Sequence, residues 1–335
     1  MRRVPQASKI YGEEKDMKRE RISAGLLIIA LALLWAPAVQ AAKVVQVALV
    51  ISDDHPVFNE IIEGIPALQG VRFDFYHMRG NRAAAKDIID KINTSTPAVV
   101  VTVGPLATGS VAPAVHPIPV VFCGVTNPAG LLADQKVNAT GVELNPKMMD
   151  QLKALVDIVK PKSVGVLFTN RSKALVDEAE VWLKAHNIRL VSRRIDSPDG
   201  AEKALDKLKK EGIEALWMMP DKMNLSRRVF ETMIAFSSEN SVPVYGLTPK
   251  LVSLGALFTL ASDYKAMGSQ VGSQLKKIIR KKQSPGNLPV ESPGTMKLFF
   301  NVDMAEDLDV KEIVLKRLLG FSASTGYPII AVVTQ

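Results

Sequence analysis

The chain has 335 residues, 47% of them apolar, which allows two packed domains and excludes disordered and fibrous classes. Its formal charge of +8 falls without the amino terminus: residues 1–41 hold seven of the 42 basic and four of the 34 acidic side chains, leaving 35 against 30, a net +5. That excess is scattered over Lys207, Lys209 and Lys210, and over Lys276, Lys277, Arg280, Lys281 and Lys282, without interleaved aromatic residues. It reads as solvated helix faces, and no nucleic-acid partner is expected.

Residues 1–41 are predicted to be a cleaved export signal. Met17-Lys18-Arg19-Glu20-Arg21 is a basic segment, Ala24 to Ala36 is an unbroken apolar run, and Val39-Gln40-Ala41 before Ala42 supplies small residues for cleavage. The run is short for a membrane span, so an uncleaved anchor is the lesser reading. The residues before Met17 carry a proline and several charges and read as an extension from a mis-assigned start. The lone Cys123 cannot form an internal disulfide, and no cysteine stands at the cleavage site for acylation. A free periplasmic protein beginning at Ala42 is the expectation.

From residue 44 onward, short β-branched runs alternate with amphipathic stretches, the pattern of parallel sheets covered on both faces. Strands are predicted at Val44 to Ile51, Val71 to Tyr76, Ala98 to Val103 and Ile118 to Cys123, with helices near 56–67, 80–93 and 105–114. A turn-rich passage follows from Asn127 to Asn145. The alternation restarts with strands at Ser163 to Phe168, Arg189 to Ile195, Ile213 to Met219 and Val242 to Leu247. Asn145-Pro146 reads as a helix start and Ser172 as the cap of the next helix, whose Leu175, Val176, Ala179, Trp182 and Leu183 recur at helical spacing. Gly212 ends the helix that begins near Ala201. Beyond Leu247 come a strand at Ala256 to Ala261, a long helix from Tyr264 to about Arg280 and a strand at Met296 to Phe300. The apolar Tyr327 to Val333 adds an edge strand.

The fold class is therefore α/β, with two doubly wound parallel-sheet lobes joined by a hinge of several crossings. Residues 42–143 with 256–285 are assigned to an amino-terminal lobe, and 144–255 with 286–335 to a carboxyl-terminal lobe. Such a hinge permits closure around a ligand.

In open parallel sheets ligands bind beyond the carboxyl ends of strands. Those positions hold Ser52-Asp53-Asp54-His55, Gly104 to Thr108, Gly124-Val125-Thr126-Asn127, Thr169-Asn170-Arg171-Ser172, Pro220-Asp221-Lys222 and Gly246-Leu247-Thr248. They are rich in amides and hydroxyls, which suits capture of a small polar or zwitterionic molecule without a reaction. Ser52, His55, Thr108, Thr126, Asn127, Asn170, Asp221 and Thr248 are the candidate ligand contacts. Asp53, Asp54 and His55 read as helix-capping residues, not as a metal site, since no second His or Cys cluster accompanies them. Cys123 lacks a sequence-placed His partner and reads as a buried small side chain. Met218, Met219 and Met223 read as core. No paired acid and base, nucleophile with His or phosphate loop is present, so neither an enzyme nor a cofactor is expected.

At His55-Pro56 with Gly64, Ile118-Pro119-Val120-Val121-Phe122 leading to Thr126-Asn127-Pro128, Asn138-Ala139-Thr140-Gly141-Val142 and Lys162 to Leu167, the chain resembles a known family. Pro220-Asp221, Val242-Pro243-Val244-Tyr245-Gly246, Gly255-Ala256, Asp263-Tyr264, Gly268, Leu288-Pro289-Val290 and Asn301 with Ala305 continue the likeness from about Val44 to Val310. The family is that of ABC-transporter substrate-binding proteins, which includes tryptophan/tyrosine-binding receptors. The resemblance implies a type I periplasmic-binding fold with the ligand between the lobes, contacted by Thr108, Thr126, Asn127, Asn170 and Asp221. It implies a monomer serving an ABC permease in the inner membrane, with an amino acid, aromatic by preference, as ligand. The alternative role is a periplasmic ligand-sensing subunit for a membrane signalling protein. Two departures bear on the ligand: an Asp is usual in the family where Asn127 stands, and an Asn where Lys222 follows Asp221. An amide cannot supply the charge-assisted bond that a carboxylate gives an ammonium.

Overall fold

A computed structural model of the chain describes residues 44–133 and 137–334; the expected export signal and its cleavage site lie outside them. β1 (Val45–Ile51), β2 (Val71–His77), β3 (Val99–Val103), β4 (Val120–Val125) and β5 (Ala139–Glu143) form one sheet in the order β2-β1-β3-β4-β5, every pair parallel. Every residue of β3 and β4 is buried, because helices cover both faces. Along β1 the two-residue period sends Val47, Leu49 and Ile51 to one face and Ala48 and Val50 to the other.

The first face is covered by α1 (Pro56–Gly64), through Phe58 and Ile61, and by α10 (Tyr264–Lys281), through Met267, Val271, Leu275, Ile278 and Ile279. The second is covered by α2 (Ala84–Ser95) and α3 (Pro105–Val111), whose last residue leads into a 3-10 turn at Ala112–Val115. α1 and α10 cross at backbone contact. A Cβ on Gly64 would lie 1.9 Å from the Lys265 carbonyl oxygen, and one on Gly268 would lie 2.1 Å from that of Ile61. Only glycines permit this approach.

The passage read as turn-rich, Asn127 to Asn145, also holds the short helix α4 (Pro128–Leu131) and β5. α5 (Met148–Val159) starts later than Asn145-Pro146 suggests, with Lys147 at its N-cap.

The second sheet contains β6 (Ser163–Phe168), β7 (Arg189–Arg194), β8 (Ala215–Trp217), β9 (Val244–Tyr245), β10 (Phe258–Ser262), β11 (Met296–Asn301) and β12 (Ile329–Val332), in the order β12-β11-β10-β9-β8-β6-β7. Only the β10–β11 pair is antiparallel. The strand assigned with 256–285 to the first lobe is thus hydrogen-bonded into the second sheet, while the helix that follows it covers the first. Which sheet a strand joins depends on tertiary pairing, and the local pattern is the same either way. β12 is the edge strand foreseen in the tail.

One face of this sheet packs on α5, α6 (Lys173–Ala185) and α11 (Lys311–Thr325), which bring in Leu152, Leu155, Val176, Leu183, Val314 and Leu318. The other packs on α7 (Gly200–Lys210) and α8 (Arg227–Asn240), through Leu205, Leu208, Phe230 and Met233. Trp217, Tyr245 and Phe258 stand on three neighbouring strands, and each is fully buried. The Tyr245 and Phe258 rings meet edge to face at 5.1 Å. Each such ring adds about 1.5–3 kcal/mol by leaving water. Trp182 is half-buried against the same core and stacks on His186 at 4.0 Å.

Three chain crossings join the sheets. The chain leaves β5 for α5, leaves β10 for α10, and returns from a 3-10 turn at Pro285–Asn287 to β11. The crossings are laced together. Glu143 N–H donates to Glu291 O (2.9 Å), Glu291 N–H to Gly141 O (2.9 Å), Asp263 N–H to Thr295 O (2.9 Å), and the Ser262 hydroxyl to Leu144 O. β5 and β10 both exit at carboxyl ends, and β11, running opposite to β10, enters at that same edge. The carboxyl-end loops of both sheets therefore lie on the hinge side, where a ligand cleft is expected.

Candidate functional site

The first-lobe half of the cleft is a recess of about 340 Å³ at the ends of β1, β3 and β4. Phe58 forms its floor over two glycines. Gly104 has φ 89°, and a Cβ there would meet the Phe58 ring and the Ser52 hydroxyl, each at 2.6 Å. The walls are Val57, Pro105, Val125, Leu131 and Leu144, and the polar rim is His55, Thr126 and Asn127. His55 caps α1 by accepting from Val57 N–H through Nδ1 (3.3 Å), with its ring 5.7 Å from Phe58. Asn127 caps α4, its Oδ1 accepting from Gly130 N–H at 2.9 Å. Thr126 and Asn127 are both exposed.

Ser52 and Thr108 sit behind this recess, each with 0% exposure. The Ser52 hydroxyl accepts from Ala107 N–H at 2.8 Å and so ties β1 to the start of α3. Thr108 donates to Gly104 O (2.8 Å) and lies 3.0 Å from the Thr102 hydroxyl. Both hold the loops in shape and present no surface to a solute.

The second-lobe half is a recess of about 220 Å³ lined by Arg171, Ser172, Leu175, Pro220, Asp221 and Lys222, at the ends of β6 and β8. Asp221 is 8% exposed and ties these loops together. Its Oδ1 accepts from Met223 N–H (3.1 Å), Asn224 N–H (2.9 Å) and Asn224 Nδ2 (3.0 Å); its Oδ2 accepts from the hydroxyls of Ser172 (2.7 Å) and Thr169 (3.3 Å). Ser172 does stand at the N-cap of α6, but its hydroxyl is turned to Asp221 instead of the helix. Asn170 is exposed and accepts from Arg194 at 3.4 Å. Thr248 caps the short helix α9 (Pro249–Ser253) through Leu251 N–H at 3.3 Å.

His55, Thr126 and Asn127 thus share one recess and Asp221 lies in the other, while Ser52 and Thr108 are interior supports. The apolar lining at Val57, Phe58, Val125, Leu131 and Leu144 escaped the focus on polar loop residues. Its sequence signal is modest: apolar residues directly beside the strand-end polar ones.

Burial pushes the Cys123 thiol up to about 12, and its sulfur points at Thr102 O, 3.8 Å away. Burial also raises the Tyr245 phenol, and it raises Tyr264 with help from the charge of Glu60. None of these groups lines either recess. Among the described residues no three His, Cys, Asp or Glu side chains converge as a metal site, and no helix is long and apolar enough to cross a membrane.

Two α/β sheets of mostly parallel strands, covered by helices and joined by three laced crossings, define the type I periplasmic-binding fold. A family model, ABC transporter substrate binding protein, matches residues 54–318, and the chain belongs to that family. No curated protein matches the sequence. Among solved structures, the chain is similar to CD0873, a substrate binding protein with adhesive properties from Clostridium difficile, in a ligand-free, open structure. That likeness has 16% identity and a TM-score of 0.69, covering 86% of this chain and 100% of the other. The chain is also similar to an ABC domain in complex with L-Trp from Streptococcus pneumonia, with 20% identity, coverage of 85% and 99%, and a TM-score of 0.53. A conserved domain protein from Vibrio cholerae gives 24% identity, coverage of 88% and 100%, and a TM-score of 0.53.

Proposed function

We propose that this substrate-binding protein works as a periplasmic monomer, released by cleavage of its export signal, that encloses a small solute between its lobes and delivers it to an ABC permease in the inner membrane. The observation that carries the reading is the hinge: three laced crossings stand at the carboxyl ends of the strands, the side on which the loops of both sheets lie. A solute touching both lobes binds the closed form better than the open one and shifts the population toward closure. The permease then reads the closed shape.

The first-lobe recess, apolar with a polar rim, suits a solute with an aromatic or aliphatic body and a small polar head. His55, Thr126 and Asn127 are the proposed contacts there, with the loops of Asn170, Asp221 and Thr248 closing from the second lobe. The L-Trp complex of the Streptococcus relative supports an aromatic body, which aromatic amino acids share with other small aromatic solutes.

Thermal-shift screening of the purified chain against amino acids, small carboxylates, nucleosides and sugars, followed by small-angle scattering on each hit, tests the reading. A ligand at a hundredfold over its Kd adds about 2.7 kcal/mol and raises the Tm by several degrees. A hit must also shrink the radius of gyration; tight binding with unchanged scattering overturns the closure mechanism.

A further inference from the structure

We propose that the second-lobe recess receives an oxyanion, and that the solute is a small apolar or aromatic carboxylate carrying no ammonium group. The proposal rests on the solute lying between the lobes, as above. Arg171 and Lys222 flank the recess, both exposed, and neither side chain has a hydrogen-bond or ion-pair partner among the described residues. Among other cations of the same lobe, Lys173 pairs with Asp177, Arg193 with Glu211, Arg194 with Asp196, Arg227 with Glu231 and Arg228 with Asp199, while Lys207, Lys209 and Lys210 are also without an ion-pair partner among the described residues but line neither recess. Two unpaired cations at one recess offer charge-assisted bonds to an incoming anion.

An ammonium finds no uncommitted carboxylate in the lining of either recess. Asp221 is the one carboxylate lining the second recess, and its two oxygens already accept from five donors. A carboxylate has about four lone-pair sites, so Asp221 has none to give. The first recess is lined by no carboxylate; its polar groups are an imidazole, a hydroxyl and an amide. Asp53 and Asp54, on the loop leading into α1, do not line it, and Asp53 Oδ1 is held by His55 N–H at 2.9 Å. Closure would strip water from an ammonium and leave it facing Arg171 and Lys222, an uncompensated buried charge.

Calorimetric titration of the full chain with 3-phenylpropionate, L-phenylalanine and 3-phenylpropanamide separates the charges on one carbon frame, and indole-3-propionate against L-tryptophan repeats the contrast on a larger ring. The acids are expected to bind about tenfold or more tightly than the amino acids and the amide. Arg171→Gln and Lys222→Gln should each cost the acids about tenfold while leaving the amide unchanged. Lys207→Gln, on the outer face of α7, should change nothing. An amino acid binding as tightly as its acid, an amide matching the acid, or no binding of either acid overturns the proposal. A sugar or nucleoside that closes the lobes when the acids do not overturns it while leaving the receptor function standing; failure of every solute class to close them overturns the receptor function as well.

Discussion

The two halves of the cleft hold their polar residues in opposite ways. In the second lobe Asp221 is buried and knots two loop segments together, whereas in the first lobe Thr126 and Asn127 stand exposed on the rim of an apolar recess. An acidic residue beside a cleft is thus no guarantee of a free negative charge. What decides is whether nearby backbone N–H groups and hydroxyls have already claimed its oxygens. Under the proposed function, recognition by neutral groups falls to the first lobe, and the charges without partners at the second recess, Arg171 and Lys222, are positive.

The largest effect expected from this contrast is at Asp221. Asp221→Ala orphans two backbone N–H groups, an amide and two hydroxyls, and should lower stability by about 3 kcal/mol in urea denaturation. A loss under about 1 kcal/mol would erase the contrast between the lobes. Ser172→Ala removes one buried donor to that carboxylate and should cost about 1 kcal/mol. Asn127→Ala removes only the exposed cap of a four-residue helix, and about 0.5 kcal/mol is expected. Thr126→Val should leave stability within about 0.5 kcal/mol while weakening ligand binding, a split that sharpens the assignment of recognition to this rim.

The smallest effect is alkaline. Cys123 ionises at about 12 in the folded chain against an ordinary 9.0, so the unfolded chain loses its proton first. Stability is level below pH 9 on this account and falls as pH rises toward 12. The native thiol should stay silent to a thiol reagent at pH 8 and react on unfolding.

Much of the fold was legible in the chain. Ser163 to Phe168 emerged as β6 with the same ends, and the helix from Tyr264 ran one residue past Arg280. Such segments carry their own periodicity. β5 did not, because Ala139-Thr140-Gly141-Val142-Glu143 is short, holds a glycine and sits among turn residues. The placement of β10 in the second sheet was equally invisible, since pairing is a tertiary choice. At the site, strand-end loops could be located from pattern alone. The commitment of each side chain could not: Ser52 serves Ala107 and Thr108 serves Gly104 because of loop geometry that spacing does not encode.

The glycine-tight crossing of α1 and α10 has a consequence for how the chain matures. α10 supplies Met267, Val271, Leu275, Ile278 and Ile279 to the first sheet, yet it is made after five of the seven strands of the second sheet. Until Ile279 leaves the ribosome, the amino-terminal strands have only α1 on one apolar face and cannot complete their core. Vectorial synthesis therefore holds that lobe open and vulnerable to aggregation through most of translation, which under the proposed export is the interval in which a chaperone needs an unfolded client.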